Sequence, residues 1–508
     1  MSRPEVLPND LFDRQLVANV CPPDWVNPDP CGRYNLVVIG AGTAGLVAAA
    51  GAAGLGAKVA LIERGLMGGD CLNVGCVPSK ALIRAARAAA GVRRAAEFGI
   101  HTTETPTVDF PRLMDRLRRL RAELSSHDSA ARFQGLGVDV FLGPGRFLGP
   151  NSITVAGKTL QFHRALIATG ARAVRPPIPG LSETGFLTNE TVFNLTELPQ
   201  RIAVIGAGPI GCELAQCFAR LGSQVILVNQ HSQLLPREDP DASKILETAF
   251  RHDEIEIIAT ATVEQVALEG REKIVQIRIG NHAETISIRV DEILVGVGRA
   301  PNVEDLDLEL AGVLFNTQAG VIVNDRLQTA NPRIFAAGDI CSRFKFTHAA
   351  DFMARLVLQN ALFHGRGKAS ALLIPQCTYT DPEIARVGLS EESAREQGIA
   401  IDTFLQPFTT VDRAILEGET EGFVKLHVRR GSDRIVGATI VASHAGEMIS
   451  EISVAMAGKL GLKRLASVIH PYPTQAEAIR KIGDAYNRTR LTPFVKRVFA
   501  SWLKWSRG

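Results

Sequence analysis

The chain has 508 residues, of which 46% are hydrophobic and 21% are charged. These fractions are typical of a folded globular protein and exclude a largely disordered chain. With 56 Lys and Arg against 53 Asp and Glu, the net charge of +3 is too even to indicate a nucleic-acid partner.

Residues 1–33 are rich in proline and polar residues, which predicts an irregular N-terminal extension lying on the body of the protein. No basic segment followed by an apolar stretch occurs there, so no signal peptide is predicted. The chain has only eight cysteines, too few for a disulfide-rich secreted scaffold. Both observations favour a cytoplasmic protein.

A strand, a glycine-rich turn, a helix and a second strand are predicted from Tyr34 onwards, in NLVVI, GAGTAG, LVAAAGAAGLG and KVALIE. Gly40, Gly42 and Gly45 allow a tight turn and let a pyrophosphate approach the backbone at the positive end of the helix. Glu63 ends the second strand, where a carboxylate accepts a hydrogen bond from a ribose hydroxyl. This pattern predicts a dinucleotide-binding βαβ unit.

Two cysteines follow within residues 67–80, MGGDCLNVGCVPSK. Cys71 and Cys76 are predicted to lie at the start of one helix, where Pro78 suits the first turn. A helix N-terminus lowers the pKa of a thiol and favours the thiolate. The pair is therefore a candidate redox dithiol, and two buried structural thiols are the alternative.

The next two segments carry no chemical motif. Residues 109–133 predict a charged, exposed helix, and residues 137–167 alternate between apolar and polar side chains as strands do. They separate the dithiol from a second glycine motif.

A second copy of the βαβ unit begins near residue 201, with RIAVI, GAGPIG, CELAQCFARLG and QVILVN. Its second strand ends at Asn229 and Gln230, without an acidic residue. A carboxylate there favours NAD, so its absence favours NADPH, with NADH as the alternative. The glycines of this motif are Gly206, Gly208 and Gly211.

The remaining segments complete the chain in order. Residues 255–297 again alternate as strands, and residues 334–362 predict a strand, a Gly-Asp turn and a helix. From Leu372 the strands and helices lack glycine loops, which predicts a separate final domain. Residues 486–508 contain six basic and no acidic residues, with apolar positions on one face at helical spacing. This tail is expected to pack on its own chain or on a second copy, and the alternative is a peripheral membrane contact.

The stretch GGDCLNVGCVPSK between two such units resembles the FAD-dependent pyridine nucleotide–disulfide oxidoreductases, over roughly residues 34–485. That family includes dihydrolipoamide dehydrogenase, glutathione reductase and mercuric reductase. The resemblance implies an α/β fold of two Rossmann-type domains, the second inserted in the first, plus a C-terminal α+β dimerisation domain. It implies a homodimer that uses FAD and NADP, or NAD. The implied boundaries are 34–185 and 306–370 for the FAD-binding domain, 186–305 for the NAD(P)-binding domain and 371–486 for the dimerisation domain, flanked by the extension 1–33 and the tail 487–508.

The resemblance also implies roles for individual residues. Cys76 is expected nearer the flavin, Cys71 is expected to be the interchange thiol that meets the substrate, and Lys80 is expected to pair with Glu213 close to the flavin. Further cofactor contacts are implied for Gly69, Thr169, Gly170 and Asp339 with FAD, and for Gly298 with NAD(P).

Two positions depart from the family pattern. Asp70 stands where most members have threonine, and it places a negative charge near the FAD pyrophosphate with no evident counter-charge. Disulfide reductases of the family also carry His-Pro-Thr-x-x-Glu, whose histidine exchanges protons with the interchange thiol. Here the stretch reads HPYPTQAE, which puts Tyr472 at the histidine position, with Glu477 matched and His470 two residues upstream.

Tyr472 favours a particular class of acceptor. Tyrosine, with an ordinary pKa of about 10, is a poor proton-transfer group for thiols at neutral pH. Mercuric reductases have tyrosine at this position, so the resemblance implies Hg(II) or another soft metal ion, transiently bound by Cys71 and Cys76. Mercuric reductases also end in a vicinal cysteine pair, which RVFASWLKWSRG lacks. Cys21 and Cys31 are candidates for a substitute metal relay, although incidental cysteines are the favoured interpretation.

Two alternatives remain open. A disulfide reductase of the lipoamide or glutathione type would use His470 as its base. A redox sensor with little turnover is the third hypothesis.

Overall fold

The structure, a computed structural model, describes residues 6–101, 107–280 and 285–508. These residues form two compact units. One comprises Met1–Ser232 and Asp253–Leu372, and the other comprises Gln233–His252 and Leu373–Gly508.

The first part of the first unit contains the first glycine motif and the dithiol. Its helices and strands in chain order are α1 (Leu11–Val20), β1 (Arg33–Ile39), α2 (Thr43–Gly54), β2 (Val59–Glu63), α3 (Gly69–Asn73), α4 (Cys76–Arg93), α5 (Phe110–Ser125), α6 (Ala130–Gly135), β3 (Val138–Leu142), β4 (Gly145–Gly149), β5 (Ser152–Val155), β6 (Lys158–Ile167), β7 (Ala171–Ala173) and α7 (Leu181–Thr184).

The next part of the chain contains the second glycine motif and then returns to the first sheet through β18. Its helices and strands in chain order are β8 (Arg201–Ile205), α8 (Pro209–Leu221), β9 (Gln224–Val228), α9 (Pro240–His252), β10 (Glu256–Ile258), β11 (Ala261–Glu269), β12 (Glu272–Ile279), β13 (Thr285–Val290), β14 (Glu292–Val295), β15 (Arg299–Pro301), β16 (Phe315–Asn316), β17 (Gly320–Val321), β18 (Ile334–Ala336) and α10 (Thr347–Leu362).

The central sheet of the first unit has the strand order β3-β2-β1-β6-β5-β4, and β18 pairs with β6. Strands β1, β2, β3, β6 and β18 are parallel, as βαβ connections require, whereas β4 and β5 are antiparallel. The last four residues of strand β1, Leu36–Ile39, are all buried because helices cover such parallel sheets. Helix α2 packs against α10 through small residues, and a Cβ added at Gly51 would lie 2.7 Å from Leu358 Cδ1.

The second glycine motif lies in its own parallel sheet, of order β10-β9-β8-β14. Strands β11, β12 and β13 form a separate antiparallel sheet. The two Rossmann-type units predicted from the glycine motifs are therefore confirmed. A short antiparallel pair, β7 with β15, joins the segment that leaves the first sheet to the segment that returns to it.

The N-terminal extension was predicted to be irregular, and this is wrong for residues Leu11–Val20, which form helix α1. Asp10 caps this helix by accepting a hydrogen bond from the Asp13 backbone, and the Asp13 side chain accepts from the Asp10 backbone in return. Leu16 and Val20 are fully buried. A local capping box and two apolar side chains thus outweigh the prolines that surround the helix.

The exposed helix predicted over residues 109–133 is also corrected. It consists of α5 and α6 with a short 3₁₀ turn between them, and one face of α5 is buried. Arg121 on that face is only 2% exposed and forms a 2.7 Å ion pair with Asp13, which is 1% exposed. Arginine residues that looked solvent-facing in the sequence therefore form part of the packing beneath α1.

The second unit is built on an antiparallel sheet of order β19-β20-β23-β22-β21. Helix α13 packs on its central strands, and Ile440, Ile449 and Ile479 are among the buried core residues. The elements after α10 are β19 (Gln376–Thr378), β20 (Glu383–Gly388), α11 (Glu391–Glu396), β21 (Ile401–Pro407), α12 (Asp412–Glu417), β22 (Phe423–Arg429), β23 (Ile435–Ala442), α13 (Ala445–Ala457), α14 (Leu462–Leu465), α15 (Glu477–Thr489) and α16 (Pro493–Trp505).

The C-terminal tail forms helix α16, as its apolar periodicity predicts. None of its residues is buried, so the tail does not pack on its own chain; packing on a second copy, the other half of the expectation, stays a prediction. Within the described ranges, no helix combines the length and the apolar character needed to cross a membrane.

Candidate functional site

The first glycine motif forms the tight turn between β1 and α2. Gly40 has a φ of +102°, and a Cβ there would lie 2.4 Å from the Ala168 carbonyl oxygen. A Cβ at Gly45 would lie 1.8 Å from the Gly40 carbonyl oxygen, so both positions require glycine. Gly42 caps α2 without a side-chain hydrogen bond, and its Cα faces Gly69. The helix N-terminus is thus approached by backbone alone, as a pyrophosphate site requires.

Glu63 supports this turn from the end of β2. Its two carboxylate oxygens accept hydrogen bonds from the backbone amides of Ala41 and Gly65, each at 2.7 Å. Burial raises the pKa of Glu63. The carboxylate lies where the ribose contact was predicted, and each oxygen retains a lone pair for a hydroxyl donor.

The second motif repeats the geometry of the first. Gly206 has a φ of +103°, and a Cβ at Gly211 would lie 1.9 Å from the Gly206 carbonyl oxygen. At the end of β9, Asn229 is buried and donates a 2.9 Å hydrogen bond to the His231 carbonyl. Gln230 is exposed. Asn229 therefore shapes the strand end, whereas Gln230 is free to face solvent or a ligand.

The dithiol lies on two helices rather than one. Cys71 is in the short helix α3, and Cys76 is the first residue of the 18-residue helix α4. All eight cysteines lie in the described part of the chain and none forms a disulfide, but the Cys71 thiol hydrogen-bonds the Cys76 sulfur. Cys76 is exposed and Cys71 is half-buried, so the exposure of the two residues does not by itself support Cys71 as the sulfur that meets a substrate.

The surroundings of the two sulfurs differ in their electrostatics. The hydrogen bond from Cys71 lowers the pKa of Cys76 to about 6, with help from Thr347 and the positive charge of Lys80. The same hydrogen bond, together with burial, raises the pKa of Cys71. Cys76 also begins α4, where the helix dipole favours an anion. Both directions favour the thiolate at Cys76 and the protonated thiol at Cys71.

Lys80 and Glu213 form the ion pair that the family resemblance implies. Lys80 Nζ lies 2.9 Å from Glu213 Oε2. Lys80 is one turn beyond Cys76 on α4, and Glu213 lies on α8 of the second glycine motif. The Glu213 side chain is 8% exposed. This pair places a positive charge within electrostatic range of the thiolate and links the two nucleotide-binding units.

Asp70 has the counter-charge that the sequence did not reveal. The guanidinium of Arg299 forms an ion pair with Asp70, and its Nε lies 3.5 Å from Asp339 Oδ2. Arg299 also donates a 2.6 Å hydrogen bond to the Ala171 carbonyl. Burial raises the pKa of Asp339. One arginine thus lies between two carboxylates beside the dithiol segment.

The predicted contacts at Thr169, Gly170 and Gly298 lie at the β7–β15 junction. Thr169 and Asn302 exchange two 2.9 Å hydrogen bonds, one from the threonine hydroxyl and one from the asparagine amide. The Gly170 carbonyl accepts from the Asn302 amide, and the Gly298 carbonyl accepts from Val174. These residues join the two crossings between the nucleotide-binding units.

The second unit contains the Tyr472 region. Tyr472 is 70% exposed, and its hydroxyl donates a 2.8 Å hydrogen bond to Asp412, which raises the pKa of the phenol. The His470 side chain is 6% exposed, and its nitrogens lie 3.0 Å from Glu451 Oε1 and 3.1 Å from the Val468 carbonyl. Glu477 forms an ion pair with Arg480 at 2.8 Å.

Sequence reasoning missed three contacts of the candidate residues, two in the first unit and one in the second. Thr347 Oγ1 lies 3.5 Å from Cys76 Sγ, Arg299 pairs with Asp70, and Asp412 accepts from Tyr472. Thr347 is the first residue of α10, the helix predicted after the Gly-Asp turn, and this position was the only available signal. Among the described residues no group of three or more His, Cys, Asp or Glu side chains forms a metal site.

The chain matches two family descriptions. Residues 34–354 match "Pyridine nucleotide-disulphide oxidoreductase", and residues 374–482 match its dimerisation domain, which supports a homodimer. A mercuric reductase from Staphylococcus aureus is 35% identical over 90% of this chain and 83% of its own. A dihydrolipoyl dehydrogenase from Chlamydia muridarum is 34% identical over 87% of this chain and 95% of its own.

A solved structure is also similar, the Cu(II) complex of the HOCl-induced flavoprotein disulfide reductase RclA from Escherichia coli. It is 30% identical, with a TM-score of 0.78 over 88% of this chain and 99% of that chain. Family members use FAD and NAD(P)H. The residues here fit both groups, because each glycine motif leaves no room for a Cβ at its turn. The chain belongs to the pyridine nucleotide–disulfide oxidoreductases.

Proposed function

We propose that this protein passes electrons from NADPH to a soft metal ion, Hg(II) in the first place, through the Cys71–Cys76 dithiol. The observation that carries the proposal is the exposed Tyr472 at the position where disulfide reductases have their catalytic histidine. The similarity to mercuric reductases supports it.

In this proposal the chain supplies two unlike sulfurs to the metal. Both sulfurs bind the metal: Cys71, the expected interchange thiol, becomes a ligand when it gives up its proton, and Cys76 is already a thiolate because its pKa is low. Lys80 stabilises the thiolate, and Thr347 hydrogen-bonds it. FAD, when bound, relays two electrons between the nicotinamide and the dithiol site. NADPH and Hg(II) are thereby converted to NADP⁺, a proton and Hg(0).

The state of His470 argues against the disulfide-reductase alternative. Both of its ring nitrogens are within hydrogen-bond distance of groups in its own unit, and its side chain is nearly buried. A general base for thiol exchange needs a nitrogen that can reach the reacting sulfur. Tyr472 is accessible, but its hydroxyl is directed to Asp412 and its raised pKa keeps it protonated.

Copper is the second candidate acceptor. The solved Cu(II) complex of RclA shows that a 30% identical protein binds copper, so Cu(II) is the second acceptor to be compared with Hg(II). Thiolates are soft ligands, which suit Cu(I), the one-electron reduction product of Cu(II).

The variant His470→Ala tests the proposal. Because His470 has no part in the proposed reaction, we expect Hg(II)-dependent NADPH oxidation to stay within about twofold of wild type. In Cys71→Ala, the rate of Hg(II)-dependent NADPH oxidation should fall by orders of magnitude. A loss of the same size in His470→Ala, with FAD retained and together with disulfide turnover by the wild-type protein, would support the disulfide-reductase alternative instead.

A further inference from the structure

Helix α16 has an uncovered apolar face. Phe494 is 67% exposed, Trp502 is 62% exposed and Trp505 is 74% exposed. The helix is regular from its first turn, where Pro493 follows Thr492, whose hydroxyl accepts from the Val495 amide. A formed helix that exposes several large apolar side chains indicates a surface that is covered by something else.

The two faces of α16 are cleanly separated. At 3.6 residues per turn, the large apolar side chains fall on one half of the circumference, and Lys496, Arg497 and Lys504 fall on the other half. The rings of Trp502 and Trp505 lie 5.2 Å apart on the apolar half. The remaining apolar side chains of that half are Phe494, Val495, Val498, Phe499 and Leu503.

The charged residues of the tail are all of one sign. Residues 486–508 contain six basic and no acidic residues, whereas the whole chain has a net charge of only +3. Such a helix is attracted to an anionic surface. Pairing with the same helix of a second copy would bring like charges together, and the family's dimerisation-domain match ends at residue 482, before α16 begins.

From these observations we propose that α16 binds the surface of anionic lipid bilayers and holds the reductase there. Helices that lie in the membrane interface have this pattern, with aromatic and aliphatic side chains on one face and Lys and Arg on the other. The 13 residues of α16 are too few to cross a bilayer, which takes about 20 apolar residues. The helix would therefore lie in the plane of the interface, with its basic residues near the lipid phosphates.

Vesicle flotation of the full-length, FAD-loaded protein tests the proposal. Vesicles of phosphatidylcholine alone are compared with vesicles that contain about a third phosphatidylglycerol, at ~0.1 M salt. We expect at least about tenfold stronger partitioning onto the anionic vesicles, and a loss of that preference at high salt.

Two paired substitutions identify the responsible face. Trp502→Glu/Leu503→Glu should abolish binding to both kinds of vesicle, and Lys496→Glu/Arg497→Glu should abolish the preference for anionic lipid. The matched control is Arg271→Glu/Arg395→Glu, which reverses two exposed charges elsewhere and should bind as wild type does. No residue of α16 is buried, so these variants remove no core contact.

Two results would overturn the proposal. One is equal binding of wild type and the tryptophan variant to anionic vesicles. The other is a change from dimer to monomer in the Trp502→Glu/Leu503→Glu variant, measured by light scattering without lipid, because the apolar face would then be a contact between copies of the chain.

Discussion

Arg299 donates a hydrogen bond to the carboxylate of Asp70, the residue that directly precedes Cys71. The two residues are 229 positions apart in the chain, and Arg299 lies where the chain returns from the inserted nucleotide-binding unit. The pair explains how a carboxylate is accommodated where most of the family has threonine. Asp70 therefore depends on Arg299 for its counter-charge.

This relationship predicts how the two positions respond to substitution. Arg299→Met removes the positive charge from Asp70 and Asp339, so we expect FAD to bind at least about tenfold more weakly, since an unpaired carboxylate then lies beside the pyrophosphate site. Asp70→Thr/Arg299→Met should recover part of the loss. FAD released on dialysis, followed by its fluorescence, measures the effect.

The control for this comparison is Arg278→Met, which breaks an ion pair with Glu264 whose side chains are 38% and 40% exposed. Exposed pairs contribute little to stability, so this variant should retain FAD. Equal retention by Arg299→Met would show that Asp70 needs no counter-charge.

The hydrogen bond between the two thiols predicts the pH dependence of Cys76. In wild-type reduced protein, alkylation of Cys76 should rise with pH through a midpoint of about 6. Cys71→Ala removes the donor that stabilises the thiolate, so the pKa of Cys76 should rise towards the ordinary value of about 8.5. Brief exposure to iodoacetamide over a pH series, followed by peptide mass spectrometry, measures both midpoints.

Cys31→Ala is the matched control, because Cys31 is an exposed cysteine of the N-terminal extension. It should leave the midpoint of Cys76 unchanged. A wild-type midpoint near 8.5 would contradict the assignment of Cys76 as the thiolate.

The two glycine motifs predict separable losses. Gly45→Ala should prevent FAD binding, because its Cβ would lie 1.8 Å from a carbonyl oxygen. Gly211→Ala should retain FAD but lose reduction by NADPH, since the same clash, at 1.9 Å, occurs in the second unit. The absorbance of bound flavin, before and after anaerobic NADPH addition, distinguishes the two.

Gly54→Ala is the control on the same helix as Gly45, because nothing lies within 4 Å of its added Cβ. It should behave as wild type. Loss of FAD from the Gly211→Ala variant would mean that the second motif acts through folding rather than through nicotinamide binding.

How much of this could be foreseen depended on how far apart the contacting residues lie in the chain. The glycine turns follow from local sequence and were predicted. A helix with Pro78 in its first turn was also predicted, but with both cysteines on it, whereas Cys71 lies on the separate helix α3. The contact of Thr347 with Cys76 could not be predicted, because the two residues are 271 positions apart in the chain. Arg121 was predicted to face solvent, because nothing in the local sequence indicates its buried partner Asp13, which lies 108 residues away in the chain.

Tyr472 predicts that acceptor preference can be shifted by one substitution. Tyr472→His places an imidazole near Asp412, where a neighbouring carboxylate supports a proton-transfer histidine. We expect turnover with oxidised glutathione or lipoamide to rise at least about tenfold over wild type. Steady-state rates with each disulfide measure this, and Tyr472→Phe should give no such gain.

The most direct test of the central claim is anaerobic NADPH oxidation by the purified wild-type protein with different acceptors. Hg(II) held by excess small thiol is compared with Cu(II), oxidised glutathione and lipoamide. The account predicts fast oxidation that depends on a metal ion, with little turnover of either disulfide. Rapid turnover of either disulfide, together with no NADPH oxidation that depends on a metal ion, would contradict it.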